Sequence, residues 1–449
     1  MARLRFSKKK TASRPAKTKQ EDIFSKKNTV TIRDRELRVS PVLDTLFKWM
    51  AERHAIQQRR LAGESAPWTD DPIFQNNPFT NVFRVFDRVT QYILRHVVNE
   101  GDQDLHESCF RVILFRCFCR ISTWELLQKH LGPLTWKNFD IRAYERVLSV
   151  SYQDGVSLYG SAYQMPAPDL GGSTAYENHL RLIKLMMDED LPGQLGQVDE
   201  LSDAYGRVSL FPGMGNFLAF QLVLDLNMIP ALTFPENWSI CGPGAQACLL
   251  KIFGENVRNI EGPALQFLHE HQDFFFARAG IPPARRPRIS PRAPGGVSVV
   301  DLEHALCECE KYSRAAHPNI KGRRTSVSRK GTFCPSPEPI TADLPCKWKL
   351  RVPNHARVPE RKLWNPPPDE NGNYALSHIV RQDGNMYLVR WVGWGTHDDT
   401  WEDPDIFERG SQETLNEWDE LKQRIAARAV EMRKRRKSFA SRASARRSL

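Results

Sequence analysis

The chain has 449 residues, of which 41% are hydrophobic and 26% are charged, and its formal net charge is +11. The length is typical of two or three domains, and the composition is that of an ordinary globular protein. No run of eighteen apolar residues occurs, which excludes a membrane-spanning helix, so we predict no membrane partner.

Both ends of the chain are basic. The first 38 residues carry SKKK and SKK without an apolar stretch, so they are not a secretory signal, and we predict a disordered basic tail at 1–38. A second basic tail, 423–449, carries RKRRK and SARRS. Such runs suit phosphate backbones or nuclear import, and the alternative is a purely solubilising tail. We predict a nuclear location.

The nine cysteines are odd in number and form no C-x-x-C pair. We interpret them as reduced intracellular thiols. Cys307 and Cys309 are only one residue apart, which is poor spacing for zinc, so we predict no metal site.

Residues 39–315 have the apolar spacing of one mainly helical domain. Its first helix is predicted to begin at Ser40 and Pro41 and to end at Gly63. In a second segment Val82, Val85, Phe86, Val89 and Ile93 follow one stripe, which predicts a single continuous helix. Further helices are predicted at 105–120, 122–131, 141–150, 176–188, 214–227 and 299–314.

The later part of the chain changes in composition. A Pro- and Arg-rich loop is predicted at about 281–296, and residues 316–370, rich in Pro, Ser and basic residues, are predicted to be a linker. A small second domain follows at 371–422. There, a run from Tyr374 to Val380, an Asp-Gly turn and a run from Met386 to Trp391 predict a β-hairpin. A third strand near Thr400 and a helix from about Ser411 would complete it.

This domain resembles the chromodomain family through YLVRWVGW and TWED. The resemblance implies a three-stranded antiparallel sheet with a C-terminal helix, and it implies binding of a methylated histone tail by strand addition. By motif position, a methyl-lysine cage would comprise Tyr374, Trp391 and Trp394, with Asp398 supplying negative charge. Trp401 falls at a family core position and is left out of the cage. The alternative is that these aromatic rings only pack the sheet.

The segment GRVSLFPGMGNFLAFQLVLDLNM (206–228) contains a Pro-Gly-x-Gly turn before an apolar helix. This turn resembles the helix-hairpin-helix of DNA glycosylases, whose helix amides face a phosphate. With NPFTNVFRVFDRVTQYI, CGPGAQACLLKIFG and CECEKYSR, it resembles the helical domain of 5-hydroxymethyluracil DNA kinases and thymine pyrophosphorylases. The resemblance implies a mainly α, glycosylase-like fold for the large domain.

The sequence lacks residues that active DNA glycosylases and P-loop kinases require. PENWSICGPGA has no aspartate at the glycosylase position, no lysine occupies the hairpin, and Gly-Lys, the core of a P-loop, never occurs. We therefore predict neither base excision nor a P-loop kinase, and no cofactor. Asp225 and Glu308 are the candidate catalytic bases. The candidate DNA- or nucleotide-binding residues are Arg84, Asp87, Arg88, Gly213, Gly215, Asn216, Lys311 and Arg314.

Arg84, Asp87 and Arg88 are spaced to share a helix face, and Gln91 continues that face. These residues could line a nucleotide pocket or could form ion pairs that tie helices together. The favoured interpretation is a chromatin protein whose chromodomain reads a methylated histone lysine and tethers a DNA-binding helical domain. An active transferase that modifies an already modified base without ATP is the alternative, and a mobile-element remnant is a third. Histone tails and DNA are the predicted partners.

Overall fold

The computed structural model describes residues 23, 28–160, 165–293, 295–322, 340–349 and 362–445. Of the predicted N-terminal tail, residues 1–22 and 24–27 lie outside this part of the chain, as do the last four residues. The strands, in order, are β1 (Thr29–Ile32), β2 (Arg35–Arg38), β3 (Leu376–Asp383), β4 (Met386–Trp391) and β5 (Thr400–Glu402). The α-helices are α1 (Val42–Leu61), α2 (Pro72–Asn76), α3 (Arg88–Tyr92), α4 (Leu105–Phe118), α5 (Ile121–Leu131), α6 (Ile141–Gln153), α7 (Ala175–Asp188), α8 (Leu191–Gly196), α9 (Leu201–Ser209), α10 (Asn216–Leu226), α11 (Pro243–Phe253), α12 (Glu261–Glu270), α13 (Gln272–Arg278), α14 (Val299–Ala316), α15 (Cys346–Lys349) and α16 (Gln412–Ala445).

The chain forms two compact units. The first unit comprises residues 92–234 and 360–449, and the second comprises 7–91 and 235–359, apart from the residues the structure does not describe. Both units are mainly helical, and the first also contains the three-stranded antiparallel sheet β3-β4-β5, so the predicted fold class is confirmed. Among the described residues, no helix is both long and apolar enough to cross a membrane.

The second unit is built around α1, α11 and α14. Leu43, Leu46 and Phe47 on α1 are fully buried, as their helical spacing predicts. Residues 29–38 pair as the antiparallel hairpin β1–β2, with Leu37 buried. We predicted these residues to be part of the disordered tail, because the two strands are short and their exposed positions carry charge.

Part of the predicted linker also belongs to the second unit. Residues 346–349 form α15, and Trp348 is buried. The side chain of Gln91 donates to the carbonyl of Asp343 at 2.9 Å and accepts from Thr341 at 2.9 Å. Gln91 therefore holds this segment rather than continuing a pocket-lining face of charged residues.

The helix predicted over residues 79–98 is wrong. Arg84–Phe86 form a 3₁₀ turn, α3 begins at Arg88, and Ile93–Val98 form a π-helix. Asp87 has extended backbone between the two, and its carboxylate accepts from the amide of Asn81 at 2.7 Å. This local hydrogen bond favours a helix start at Asp87 over helix continuation. Arg84, Asp87 and Arg88 consequently do not share a helix face.

The sheet of the first unit matches its sequence pattern closely. β3 and β4 pair antiparallel, with Gly384 at φ +57° in a two-residue turn between Asp383 and Met386. Trp418 of α16 lies in the core of the sheet, as predicted, and Leu415 packs against that core. The other buried residues of this core are Ile379, Tyr387, Val389, Trp391, Ile406 and Phe407. Trp401 is the exception, because it is 39% exposed instead of filling the core, and the guanidinium of Arg381 lies 4.9 Å from its ring centroid.

Helix α9 packs directly against the sheet within the first unit. A Cβ atom added to Gly206 would lie 1.8 Å from the carbonyl oxygen of Val380, so only glycine permits this approach of helix and strand. Arg390, which is 3% exposed, donates to Asp399 at 2.9 Å and to Asp203 of α9 at 3.3 Å. The sheet is therefore joined to α9 by a buried ion-pair network.

Further contacts extend this junction along α16. The guanidinium of Arg207 lies 5.4 Å from the ring centroid of Trp418, and Leu210 packs on the core of the sheet. Arg424 and Arg428, in the region predicted as the basic tail, form ion pairs with Glu189. Beyond Lys434 the side chains of α16 lie outside the described residues.

Candidate functional site

Three aromatic rings meet at one end of the sheet in the first unit. The ring centroids of Tyr374 and Trp394 are 5.7 Å apart at 80°, and those of Tyr374 and Trp391 are 6.5 Å apart at 63°. The predicted cage rings are therefore brought together. Tyr374 and Trp394 are half-buried, whereas Trp391 is only 3% exposed and belongs also to the core.

Polar contacts orient these rings. The indole of Trp391 donates to the hydroxyl of Thr400 at 3.0 Å, and that hydroxyl donates to Glu402 at 2.6 Å. Burial raises the pKa of Glu402. The carboxylate of Asp398 accepts from the amide of Gly395 at 3.2 Å, which stabilises the turn after Trp394. Glu402 was missed in the sequence, although it follows Trp401 directly in TWED.

Residues 363–365, which precede the sheet in the chain, contact the loop that carries Trp394. The amides of Trp364 and Asn365 donate to the carbonyl of Gly393 at 3.3 Å and 3.1 Å. Leu363 lies against Gly395. These residues, from the segment predicted as linker, hold the loop in place.

The turn predicted to contact DNA joins α9 to α10 in the first unit. Gly213 has φ +79°, and a Cβ atom there would also meet Pro168 at 3.2 Å, so the turn requires glycine. Gly215 is the N-cap of α10, and no described side chain caps that helix. A Cβ atom at Gly215 would meet nothing within 4 Å. The side chain of Asn216 lies outside the described residues.

Asp225, a predicted catalytic base, is fully buried at the end of α10. It accepts hydrogen bonds from Nε and Nη2 of Arg116, which is 3% exposed. This is the geometry of a structural ion pair between α10 and α4. Asp225 belongs to the first unit, whereas Glu308, the other candidate base, belongs to the second.

The second unit contains a polar cluster on one face of α14. Asp301, His304, Glu308 and Lys311 are spaced three, four and three residues apart, so they share a face. His304 lies 3.2 Å from Asp87 and 2.9 Å from the hydroxyl of Thr80. The spacing of Asp301 and His304 was visible in the sequence, but their partners are more than 200 residues away.

The predicted residues Asp87, Glu308 and Lys311 meet in this α14 cluster. Glu308 forms an ion pair with Lys311 and accepts from the amide of Thr80 at 3.3 Å. Burial lowers the pKa of His304, but its hydrogen bond to Asp87 and that group's charge outweigh burial and raise it overall. Beside it, burial raises the pKa of Glu303 to about 7. The cluster is thus a buried polar network in which Asp87 stabilises the charged form of His304.

The three predicted arginines differ in their surroundings, and Arg84 contacts the α14 cluster. Arg84 is buried, and its backbone amide donates to Asp301 at 3.2 Å. Arg88 is exposed on α3. Arg314 forms an ion pair with Glu310 one turn earlier on α14. Within the described ranges, no group of three or more His, Cys, Asp or Glu side chains is arranged to hold a metal ion.

Comparison with known proteins agrees with this architecture. Residues 40–322 match the family model of the 5-hmdU DNA kinase helical domain, and residues 375–421 match that of the chromo (chromatin organisation modifier) domain. The chain is 25% identical over 292 residues to the 5-hmdU DNA kinase of Bacillus phage SP10. That match covers 60% of this chain and 44% of the phage protein, so the chain spans less than half of its relative's length. No solved structure matches the chain. The chain therefore belongs to the family of the 5-hmdU DNA kinase helical domain, and it carries a chromodomain at residues 375–421.

Proposed function

We propose that this protein associates with chromatin in the nucleus, where its chromodomain reads a methylated histone lysine and holds the helical domain against DNA. The observation that supports binding of a methylated lysine is that the rings of Tyr374, Trp391 and Trp394 lie close together at one end of the sheet. A methylated ammonium is a bulky cation with few or no N–H donors, so aromatic faces bind it better than carboxylate or carbonyl groups alone. Asp398 and Glu402 supply nearby negative charge.

Titration of the full chain with histone-tail peptides tests the proposal. The peptides should carry each lysine in unmodified and trimethylated form. We expect at least one trimethylated peptide to bind much more tightly than its unmodified counterpart, because only the trimethylated cation matches the rings. Equal affinity across every such pair would contradict reading of methyl-lysine.

The DNA contact is proposed for the turn between α9 and α10. Two helices joined by a glycine turn present the amides of the second helix outward, as in a helix-hairpin-helix. The start of α10 has no side-chain cap among the described residues, and space is open at Gly215. A phosphate oxygen would accept from these amides and would benefit from the positive end of the helix dipole.

Replacing Gly215 with leucine is expected to weaken binding of the full chain to duplex DNA by about 1.5–3 kcal/mol, the range for hydrogen bonds to a charged group. The new side chain would occupy the space that a phosphate needs. Gly215 has φ −64° and no neighbour at its Cβ position, so the fold tolerates leucine. Fluorescence anisotropy at fixed salt measures the change.

Gly262→Leu is the matched control. Gly262 lies in the first turn of α12, and its Cβ position is also open. Leucine there should leave DNA affinity as in the parent chain. An unchanged affinity in the Gly215 variant would place the DNA contact elsewhere.

A further inference from the structure

A cavity of about 430 Å³ lies in the second unit, outside the polar cluster and far in sequence from the chromodomain. The end of α1 supplies Arg53 and Arg60, and the segment 66–79 supplies Trp68, Phe74 and Phe79. Exposed residues, among them Pro67 and Gln75, also line it, so it opens to solvent. Its volume lies in the range of small-molecule sites.

Arg53 gives the cavity a buried cation with unused hydrogen-bonding capacity. Its side chain is 6% exposed, and Nε donates to the carbonyl of Phe79 at 3.3 Å. Its Nη1 has no partner among the described residues. Burial lowers the pKa of Arg53 to about 10, so it still carries its charge at neutral pH. A buried guanidinium with an unmade hydrogen bond is costly unless a ligand completes it.

Arg60 brings a second cation to the same wall. It lies two turns after Arg53 on α1, and its guanidinium is 4.9 Å from the ring centroid of Trp68. The charges of Asp87 and Glu308 raise the pKa of Arg53 and the charge of Arg60 lowers it, so the two carboxylates offset part of the repulsion between the two guanidinium groups. An anion between them would relieve that repulsion and accept their hydrogen bonds.

The other walls are aromatic. The ring centroids of Phe74 and Phe79 are 5.2 Å apart at 68°, and Tyr312 lies 5.2 Å from Phe74. The hydroxyl of Tyr312 donates to Asp71 at 2.6 Å, which holds this wall in place. Trp68 is half-buried and leaves part of its ring available for stacking. A bare inorganic anion would gain nothing from these rings, whereas a planar base would stack on them.

We propose that this cavity binds a nucleotide, with the base against the aromatic wall and the phosphate at Arg53 and Arg60. The site goes beyond the proposed chromatin function and does not depend on it. Two sources supply this chemistry: a free nucleoside monophosphate, or a nucleotide extruded from a DNA strand.

The test titrates the full chain with thymidine 5′-monophosphate, with thymidine, and with a single-stranded thymidine oligonucleotide. Arg60→Ala should weaken nucleotide binding by about tenfold or more, equivalent to about 1.4 kcal/mol. Arg60 is only half-buried, so this variant should fold. Arg258→Ala is the control, because it removes one exposed arginine of the second unit that is paired with Glu255.

Each outcome decides the proposal. Tighter binding of the monophosphate than of thymidine, lost in Arg60→Ala but kept in Arg258→Ala, supports a free nucleotide. Binding of the oligonucleotide alone, with the same sensitivity, supports an extruded nucleotide. Equal binding of thymidine and its monophosphate, equal losses in both variants, or no binding of any probe would overturn it.

Discussion

Replacing Trp394 with alanine is expected to weaken binding of the preferred trimethyl-lysine peptide by about 2 kcal/mol, the value for a desolvated cation–π contact. Trp394 is half-buried and packs on the edge of the core, so its removal should leave the sheet folded. Trp391 is a poorer choice, because it is 3% exposed and its loss would also leave a core cavity. Isothermal titration with the methylated peptide measures the effect.

Trp401→Ala is the matched control for that experiment. Trp401 is also a tryptophan of the chromodomain, but it is 39% exposed and stacks with Arg381 instead of joining the three rings. Its replacement should leave peptide affinity close to that of the parent chain. If both variants lost affinity equally, the loss would result from destabilisation of the chromodomain. The three rings of the proposed cage would then serve only to pack the sheet.

Replacing Asp225 with alanine is expected to lower the free energy of unfolding of the first unit by about 3–5 kcal/mol, because it removes the carboxylate that compensates the buried charge of Arg116. A catalytic carboxylate would behave differently, since its loss abolishes activity with little effect on stability. Urea unfolding followed by circular dichroism measures the change.

A double variant, Arg116→Met with Asp225→Leu, provides the control. Replacing both charges by apolar groups of similar size removes the buried cation as well, so part of the lost stability should return. If Asp225→Ala unfolded at the same urea concentration as the parent chain, the structural role of the pair would be wrong and Asp225 would regain its standing as a catalytic candidate.

Most of the helices and the sheet β3-β4-β5 could be predicted because their sequence patterns are local. The apolar stripe of α1 and the glycine turn before Met386 each lie within one or two turns of the residues that they organise. The family motifs likewise located both matched domains. The resemblance to the chromodomain family indicated the three aromatic rings of the proposed cage, and the structure brings these rings together at one end of the sheet.

The α14 cluster could be predicted only in part because its contacts are long-range. Asp87 interrupts a helical stripe that would otherwise run on, and its partner His304 is far along the chain. The spacing of the apolar residues continues across Asp87, so it does not show that the helix is interrupted there. The pairing of Asp225 with Arg116 could not be predicted for a similar reason, since the two residues lie 109 positions apart in the sequence.

The junction at Gly206 fixes the geometry between the proposed peptide site and the proposed phosphate site of the first unit. Helix α9 carries the sheet on one side through Arg390 and Asp203, and its next turn leads straight into Gly213 and α10. The proposed peptide site and the proposed phosphate site are thus both positioned by helix α9. Their separation is set by packing and not by a polymer of variable length. With this fixed separation, both sites could be occupied together only when the DNA backbone lies at one particular distance from the modified lysine.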